Sequence, residues 1–201
     1  MKRFFILLLT LCMTALGRDA AAQTTQTAAA GEMAGWRRID PTEIAANPVV
    51  QLRDDWMALA AGREGDMNAM TIAWGTLGVL WGRPVMTVFV SSSRYTYEFM
   101  ERNDSFTVTA FPPACKAALQ YIGSHSGRDG DKLAAAGLTP EFTPAGNPIF
   151  READLAIECE LLYKQPLDKE RMPERVRKIY DRGMGVHSMY IGEIVNVWVK
   201  E

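Results

Sequence analysis

Three hydroxyls and a guanidinium, Ser91, Ser92, Ser93 and Arg94, precede Tyr95 and Thr96 where a helix around Tyr97 to Arg102 begins. A helix N-terminus carries unpaired N–H groups and the positive end of the helix dipole, so this arrangement suits an anion, phosphate being the usual guest. The guanidinium can grip phosphate through two N–H groups while hydroxyls and backbone N–H groups complete the shell. Serines in this position also cap helices, and the spacing alone supports both readings equally. His187 is the second candidate. A lone histidine is more often structural than catalytic, and its ordinary pKa near neutrality proves no role. His125 has no comparable support. These two histidines and the cysteines Cys115 and Cys159 are scattered rather than clustered, so they form no metal-ligand set. There is neither a G-x-G-x-x-G dinucleotide fingerprint nor a G-x-S-x-G nucleophile elbow.

The elements that would position these residues are mostly strands. A strand around Trp56 to Ala60 ends at a turn, Gly62 to Asp66, and leads into an apolar strand from Asn68 to Leu80. Arg83-Pro84 reads as a turn, and Val85 to Val90 as a strand buried on both faces. Trp74 lies three residues beyond Thr71 on the same strand, which puts it on the opposite face and favours core packing. Phe106 to Phe111 is a strand and Cys115 to Ile122 a helix. Asp131 to Ala136 is a short helix closed by Gly137. Leu155 to Tyr163 alternates an apolar face (Leu155, Ile157, Cys159, Leu161, Tyr163) with a partly polar one carrying Glu158 and Glu160, and Tyr190 to Val199 is the last strand. Many strands joined by hairpins predict a closed antiparallel barrel.

The order N-A-M-T-x-x-W from Asn68, a strand, then S-R-Y-T from Ser93 and a helix resembles the flavin reductase-like family of FMN-binding split barrels. Downstream, FTVTAF from Phe106 and SHSGRDGDKLAAAGLT from Ser124 resemble its flavoredoxin-like branch. So do AIECEL from Ala156 and HSMYIGEIV from His187, and the match runs from about Asp54 to the C-terminus. The resemblance implies a mainly β fold, a barrel with peripheral helices of antiparallel Greek-key type. It implies FMN as cofactor, with Arg94, Thr96 and the neighbouring Ser91, Ser92 and Ser93 on the phosphate, and Asn68, Ala69, Met70 and Thr71 at the polar ring edge. Ser126 and Lys132 match positions near the cofactor; Lys132 could meet phosphate or the ring, or equally cap its short helix. His187 opens the last strand on the cofactor side, where it could touch flavin or substrate. Relatives move hydride from NAD(P)H to flavin and electrons to a further acceptor, and the resemblance implies a homodimer with flavin near the interface. Two other readings stay open: an FMN-carrying electron-transfer protein without nicotinamide activity, and a barrel that binds another small ligand such as a tetrapyrrole. The retained Asn68–Thr71 and Ser93–Thr96 motifs argue against cofactor loss.

Composition is that of an ordinary globular domain: 48% hydrophobic, 23% charged and a net charge of −2, with no basic excess that points to nucleic acid. Lys2-Arg3, the apolar run Phe4 to Leu16 and Ala20-Ala21-Ala22 have the form of a cleaved secretory signal over residues 1–22, and so predict a periplasmic protein with no lasting membrane span. A lipoprotein anchor at Cys12 fits less well, because the bulky Leu11 precedes it. Residues 23–35 read as a flexible lead-in and 36–201 as one domain. The exported setting raises the question of the donor, since nicotinamide nucleotides are scarce outside the cytoplasm; a protein or quinol-linked donor is the alternative. Cys159 alternates with Ile157 and Leu161, a buried position, which argues against a disulfide with Cys115. Residues 166–187 form a charged insertion whose helix would start at Pro173, with Val176, Ile179 and Tyr180 as its apolar stripe. A solvated helix over the barrel is the favoured reading, and a lid or partner-binding element the other.

Overall fold

Alternating apolar residues and tight turns make ten strands from most of the chain after residue 35. The computed structural model describes residues 31–181 and 183–201; the expected signal segment and most of the lead-in lie outside them. In chain order come β1 (Trp36–Ile39), a short helical segment α1 (Pro48–Val50) that runs into a wider turn over Gln51–Asp55, β2 (Met57–Arg63), β3 (Asp66–Ile72), β4 (Gly75–Leu80) and β5 (Arg83–Ser91). Then follow α2 (Tyr95–Arg102), β6 (Ser105–Ala110), α3 (Lys116–Ser124), α4 (Lys132–Ala135), the hairpin β7 (Pro140–Phe142) and β8 (Pro148–Phe150), β9 (Leu155–Pro166), α5 (Glu174–Tyr180) and β10 (His187–Lys200).

One sheet runs β3-β2-β6-β9-β10-β5-β4, with β1 added along β10, and every pairing is antiparallel. Its two ends, β3 and β4, are separated in sequence only by Ala73 and Trp74. A two-residue link spans less than about 11 Å at full extension, so the sheet must curl until its edges meet. No hydrogen-bonded ladder joins β3 to β4 among the described residues. The barrel is therefore split at this seam rather than closed, as the strand pattern alone would have it.

The pleat divides the packing. Met57, Leu59 and Ala61 of β2 point inward with Met70 and Ile72, Met86, Val88 and Val90, Phe106 and Val108, and Ile157 and Cys159. The small residues Ala58, Ala60 and Ala69 point outward and let α3 pack close through Leu119 and Ile122. Cys159 is buried in the interior and free, as is the half-buried Cys115. Gly192 keeps the interior tight: a Cβ there would stand 2.7 Å from both the Phe106 ring and Cys159 Cβ.

Several local expectations shift. The β4–β5 turn is Trp81-Gly82, both with positive φ (52° and 72°), the form that suits the twist of a two-residue hairpin; Arg83 and Pro84 belong to β5. The single strand Asn68 to Leu80 breaks at Ala73-Trp74. On the second face of β9 Glu160 is exposed, but the half that carries Ala156 and Glu158 is not solvated. The β7–β8 hairpin and its turn cover it, and Glu158 is completely buried there. Its carboxylate accepts from Thr143 Oγ1, Asn147 Nδ2 (2.7 Å), Asn196 Nδ2 (2.8 Å) and Trp198 Nε1 (3.4 Å), while Asn147 Oδ1 accepts from Arg63 and Ser105. Full pairing is what makes a buried carboxylate tolerable. Glu158→Leu would leave at least three buried donors unpaired at about 1–3 kcal/mol each. The expected result is a stability loss of about 3 kcal/mol or more, read from the urea midpoint at unchanged slope.

Candidate functional site

The seam between β3 and β4 opens a cleft beside the serine turn. Along β5 the inward residues enter the core, and Phe89 and Ser91 point the other way to form the cleft floor. The β5–β10 register sets His187 directly opposite Ser91 and Met189 opposite Phe89. Met70, Thr71, Ile72, Ala73 and Trp74 form one wall, Arg94 stands at the helix side and Met184 closes the far side, around a volume of about 150 Å³. Trp74 is thus a cleft residue, 43% exposed, not core. The chain leaves the strand at Ala73, so alternation counted from Thr71 no longer applies to it.

The serines do not cap α2. Arg94 occupies the cap position in extended geometry, and no side chain accepts from the first-turn amides. Ser91 Oγ instead donates to Gly185 O (2.9 Å) and meets Ser93 Oγ (2.9 Å), while Ser92 N donates to Val186 O (3.3 Å). Ser92 and Ser93 are exposed at the turn. The helix terminus therefore remains open to an anion.

Arg94 is the electrostatic centre of the site. It forms no ion pair among the described residues, and its Nη1 donates to Gly123 O (2.9 Å) at the end of α3. Its charge reaches two neighbours. Burial, with Arg94 second, brings Lys132 down to about 8 and holds His187 below its ordinary value. Thr71 lies against the same region, its hydroxyl donating to Leu119 O, and Gly123 allows this approach, since a Cβ would come within 3.1 Å of Thr71 Cβ.

The other expected residues take different places. Asn68 is buried and donates from Nδ2 to the buried Thr96 Oγ1 (2.8 Å), so this pair ties β3 to α2. Ala69 packs beneath α3. Ser126 accepts from Arg128 N in its own loop. Lys132 caps not its own short helix but the end of α3, donating to Ile122 O (2.9 Å) and His125 O (3.1 Å). Asn68 and Lys132 line a second cavity of about 510 Å³ with Tyr95, Phe99 and Gly127. Gly127 is needed there, because a Cβ would fall 2.4 Å from Asn68 Oδ1.

His187 is 7% exposed, and its Nδ1 is buried without a hydrogen-bond partner. Trp74 lies on one side, ring centroids 4.8 Å apart, and Tyr180 meets the ring edge-on at 5.7 Å. Sequence reasoning missed Phe89, Tyr180 and Met184. The period of two along β5 could have located Phe89; Tyr180 belongs to the apolar stripe of the insertion helix, which marks it for burial but not for this site, and no local signal marks Met184.

A model of the flavin reductase-like domain matches residues 56–201. The chain belongs to the flavin reductase-like family. Over 97 residues it is 34% identical to YddH, an uncharacterised protein of Escherichia coli K12, covering 47% of this chain and 51% of YddH; it thus spans about half the length of that relative. Among solved structures it is similar to the flavoredoxin of Desulfovibrio vulgaris (Miyazaki F), at 26% identity and TM-score 0.55 over 73% of this chain and 69% of that one. It is also similar to an FMN-binding protein of Thermus thermophilus with bound p-hydroxybenzaldehyde, at 26% identity and TM-score 0.58 over 73% and 71%. Membership of the flavin reductase-like family accounts for the split barrel.

The depressed pKa of His187 has a stability consequence. Its folded value lies below the unfolded value of about 6.5, so as pH falls through the mid-sixes the unfolded chain takes up a proton first. The contribution is present above that range and is lost below it. Resistance to urea should decline from pH 7 to pH 5, and His187→Gln should flatten the decline. An identical decline in the variant would show that the imidazole does not take part.

Proposed function

We propose that this protein is an exported FMN-dependent oxidoreductase whose cleft holds the flavin between the open terminus of α2 and the Trp74–His187 wall. The observation that carries this reading is the uncompensated Arg94 guanidinium at an uncapped helix start, with exposed Ser92 and Ser93 beside it. A phosphate satisfies all three. The family's FMN-binding members support the same assignment, and the residues fit the group at its other end too. Trp74 and Met70 offer apolar surface for a flat ring, and the unpartnered Nδ1 of His187 offers a hydrogen bond.

Bound FMN would supply the redox chemistry, accepting a hydride or electrons and passing them on. The chain's own part is to bind and orient. Arg94 and the α2 amides would hold the phosphate, and Met70, Thr71 and Ile72 of β3, which line the cleft, would take the ring edge. His187, neutral at physiological pH, contributes a hydrogen bond without a charge. A second copy completes the assembly: the edge strand β4 and its turn leave Val79 and Trp81 76% and 64% exposed, apolar surface suited to a homodimer interface. NAD(P)H serves as a transient donor, without a dinucleotide fold of its own. The second reading is an electron carrier fed by a protein or quinol-linked donor, favoured by the signal-like N-terminus.

The purified chain should take up FMN and turn yellow. Anaerobic NADH or NADPH should then bleach the flavin band; a yellow protein that stays oxidised would select the carrier, and a chain that takes up no FMN would sink the flavin reading. Arg94→Ala should weaken FMN binding about 10- to 150-fold, the equivalent of losing about 1.5–3 kcal/mol from a charged hydrogen bond. Thr96→Val should act mainly on stability, since its hydroxyl faces Asn68. Unchanged affinity in Arg94→Ala would move the phosphate to Lys132.

A further inference from the structure

The charged insertion largely meets the expectation of a solvated helix. Lys178–Glu174, Arg177–Glu170 and Lys169–Asp181 pair on its surface, and Ile179 is exposed. Tyr180 breaks the pattern. It is 8% exposed and turns inward, where its ring stands edge-on to His187 at 66° between planes. Trp74 packs on the same imidazole at 4.8 Å between centroids and 43° between planes. An aromatic from the insertion and one from the seam thus hold the imidazole.

The chain beyond the helix is built into the same wall. Met184 lines the cleft, Gly185 O accepts from Ser91 Oγ and Val186 O accepts from Ser92 N. A Cβ on Gly185 would stand 2.7 Å from Ser92 Oγ and 3.0 Å from Ser91 Oγ, so the glycine lets the chain approach the serine turn closely. An element merely lying over the barrel would need neither the bonds nor the close approach.

A partnerless imidazole nitrogen has no internal bond to fix the ring. Rotation about the terminal side-chain torsion is broad and roughly two-fold, and an unpaired buried nitrogen gains by turning toward any available partner. For His187 Nδ1 no hydrogen bond opposes such a turn; packing alone does.

We propose that Tyr180 is the positioning residue of this cleft: by clamping His187 against Trp74 it keeps the imidazole in one orientation, ready to hydrogen-bond a flat ring bound at the seam. The insertion is thereby part of the binding site. The ligand half of this inference rests on the flavin reading; the clamp itself does not. Among the described residues, the groups that face His187 are Arg94, the one charge that acts on it, and the rings of Trp74 and Tyr180.

The chain contains two histidines, and His125, stacked on Tyr121 at 3.9 Å, serves as an internal reference. The experiment is imidazole ¹⁵N NMR of the full domain with and without FMN, on wild type, Tyr180→Ala, Tyr180→Phe and Ile179→Ala. Tyr180→Leu, which keeps apolar bulk, is the substitute if the alanine variant does not fold. Tyr180→Ala is expected to shift the His187 nitrogens toward averaged tautomer values, raise their titration midpoint and leave His125 unmoved. It should also weaken FMN binding about fivefold or more. Tyr180→Phe should restore both readouts, and Ile179→Ala should leave both at wild-type values. His187 signals that are the same in wild type and in Tyr180→Ala (or Tyr180→Leu) would overturn the proposal. Wild-type protein that takes up no FMN would remove the flavin reading and the ligand half with it, while the shift of His187 on loss of Tyr180 would still report on the clamp.

Discussion

The two outermost strands of the sheet are neighbours in sequence, and the rest of the architecture follows from that constraint. Ala73 and Trp74 must carry the chain from one edge to the other, which curls seven strands into a barrel and brings both edges to one seam. An edge strand leaves backbone groups and side chains without a partner strand. Here that opening is where the serine turn, the start of α2 and the first residue of β10 converge. The cleft is thus a product of the topology before any side chain is considered, and the side chains then give it character: a floor of Phe89 and Ser91, an aromatic wall and Arg94, which has no ion pair among the described residues.

That cation organises the polar half of the site. Arg94 sits where a capping side chain would ordinarily stand, so the helix terminus is left open and a positive charge is added to it. Lys132 and His187 both respond to the guanidinium, which places all three within one electrostatic neighbourhood. Two of the three are deeply buried, where charge is least screened. Such a cluster is unfavourable without an anion and favourable with one. The fold maintains the cluster by tying Arg94 to the Gly123 carbonyl and Lys132 to those of Ile122 and His125, while packing alone holds His187.

Away from the cleft, the largest polar investment is the buried carboxylate of Glu158. It joins the β7–β8 turn to β9 and β10 through Thr143, Asn147, Asn196 and Trp198. The strand that carries it lies between β6 and β10 and is buried on both faces from Leu155 to Cys159. Alternation along β9 gave a partly polar face carrying Glu158 and Glu160; Glu160 is exposed, as a charged residue normally is, and Glu158 is not. The exception arises because every donor around the carboxylate comes from a distant part of the chain.

What the sequence determined by itself was local and periodic. The alternation of β2, β5 and β9, the glycine after α4, the proline before α5 and the run of serines followed by an arginine each express a short-range rule, so they were legible. The motifs also carried the family, and with it the split barrel and the expected cofactor. Tertiary structure alone decided where those residues meet. Trp74 reaches the cleft because the strand ends at Ala73, Thr96 turns to Asn68 across 28 residues, and Lys132 serves the helix before its own. Tyr180 meets His187 because the insertion, whose helix was legible but whose docking place was not, folds back on the serine turn. Pairings of this kind depend on chain closure over long separations, and propensity or spacing contains no record of them.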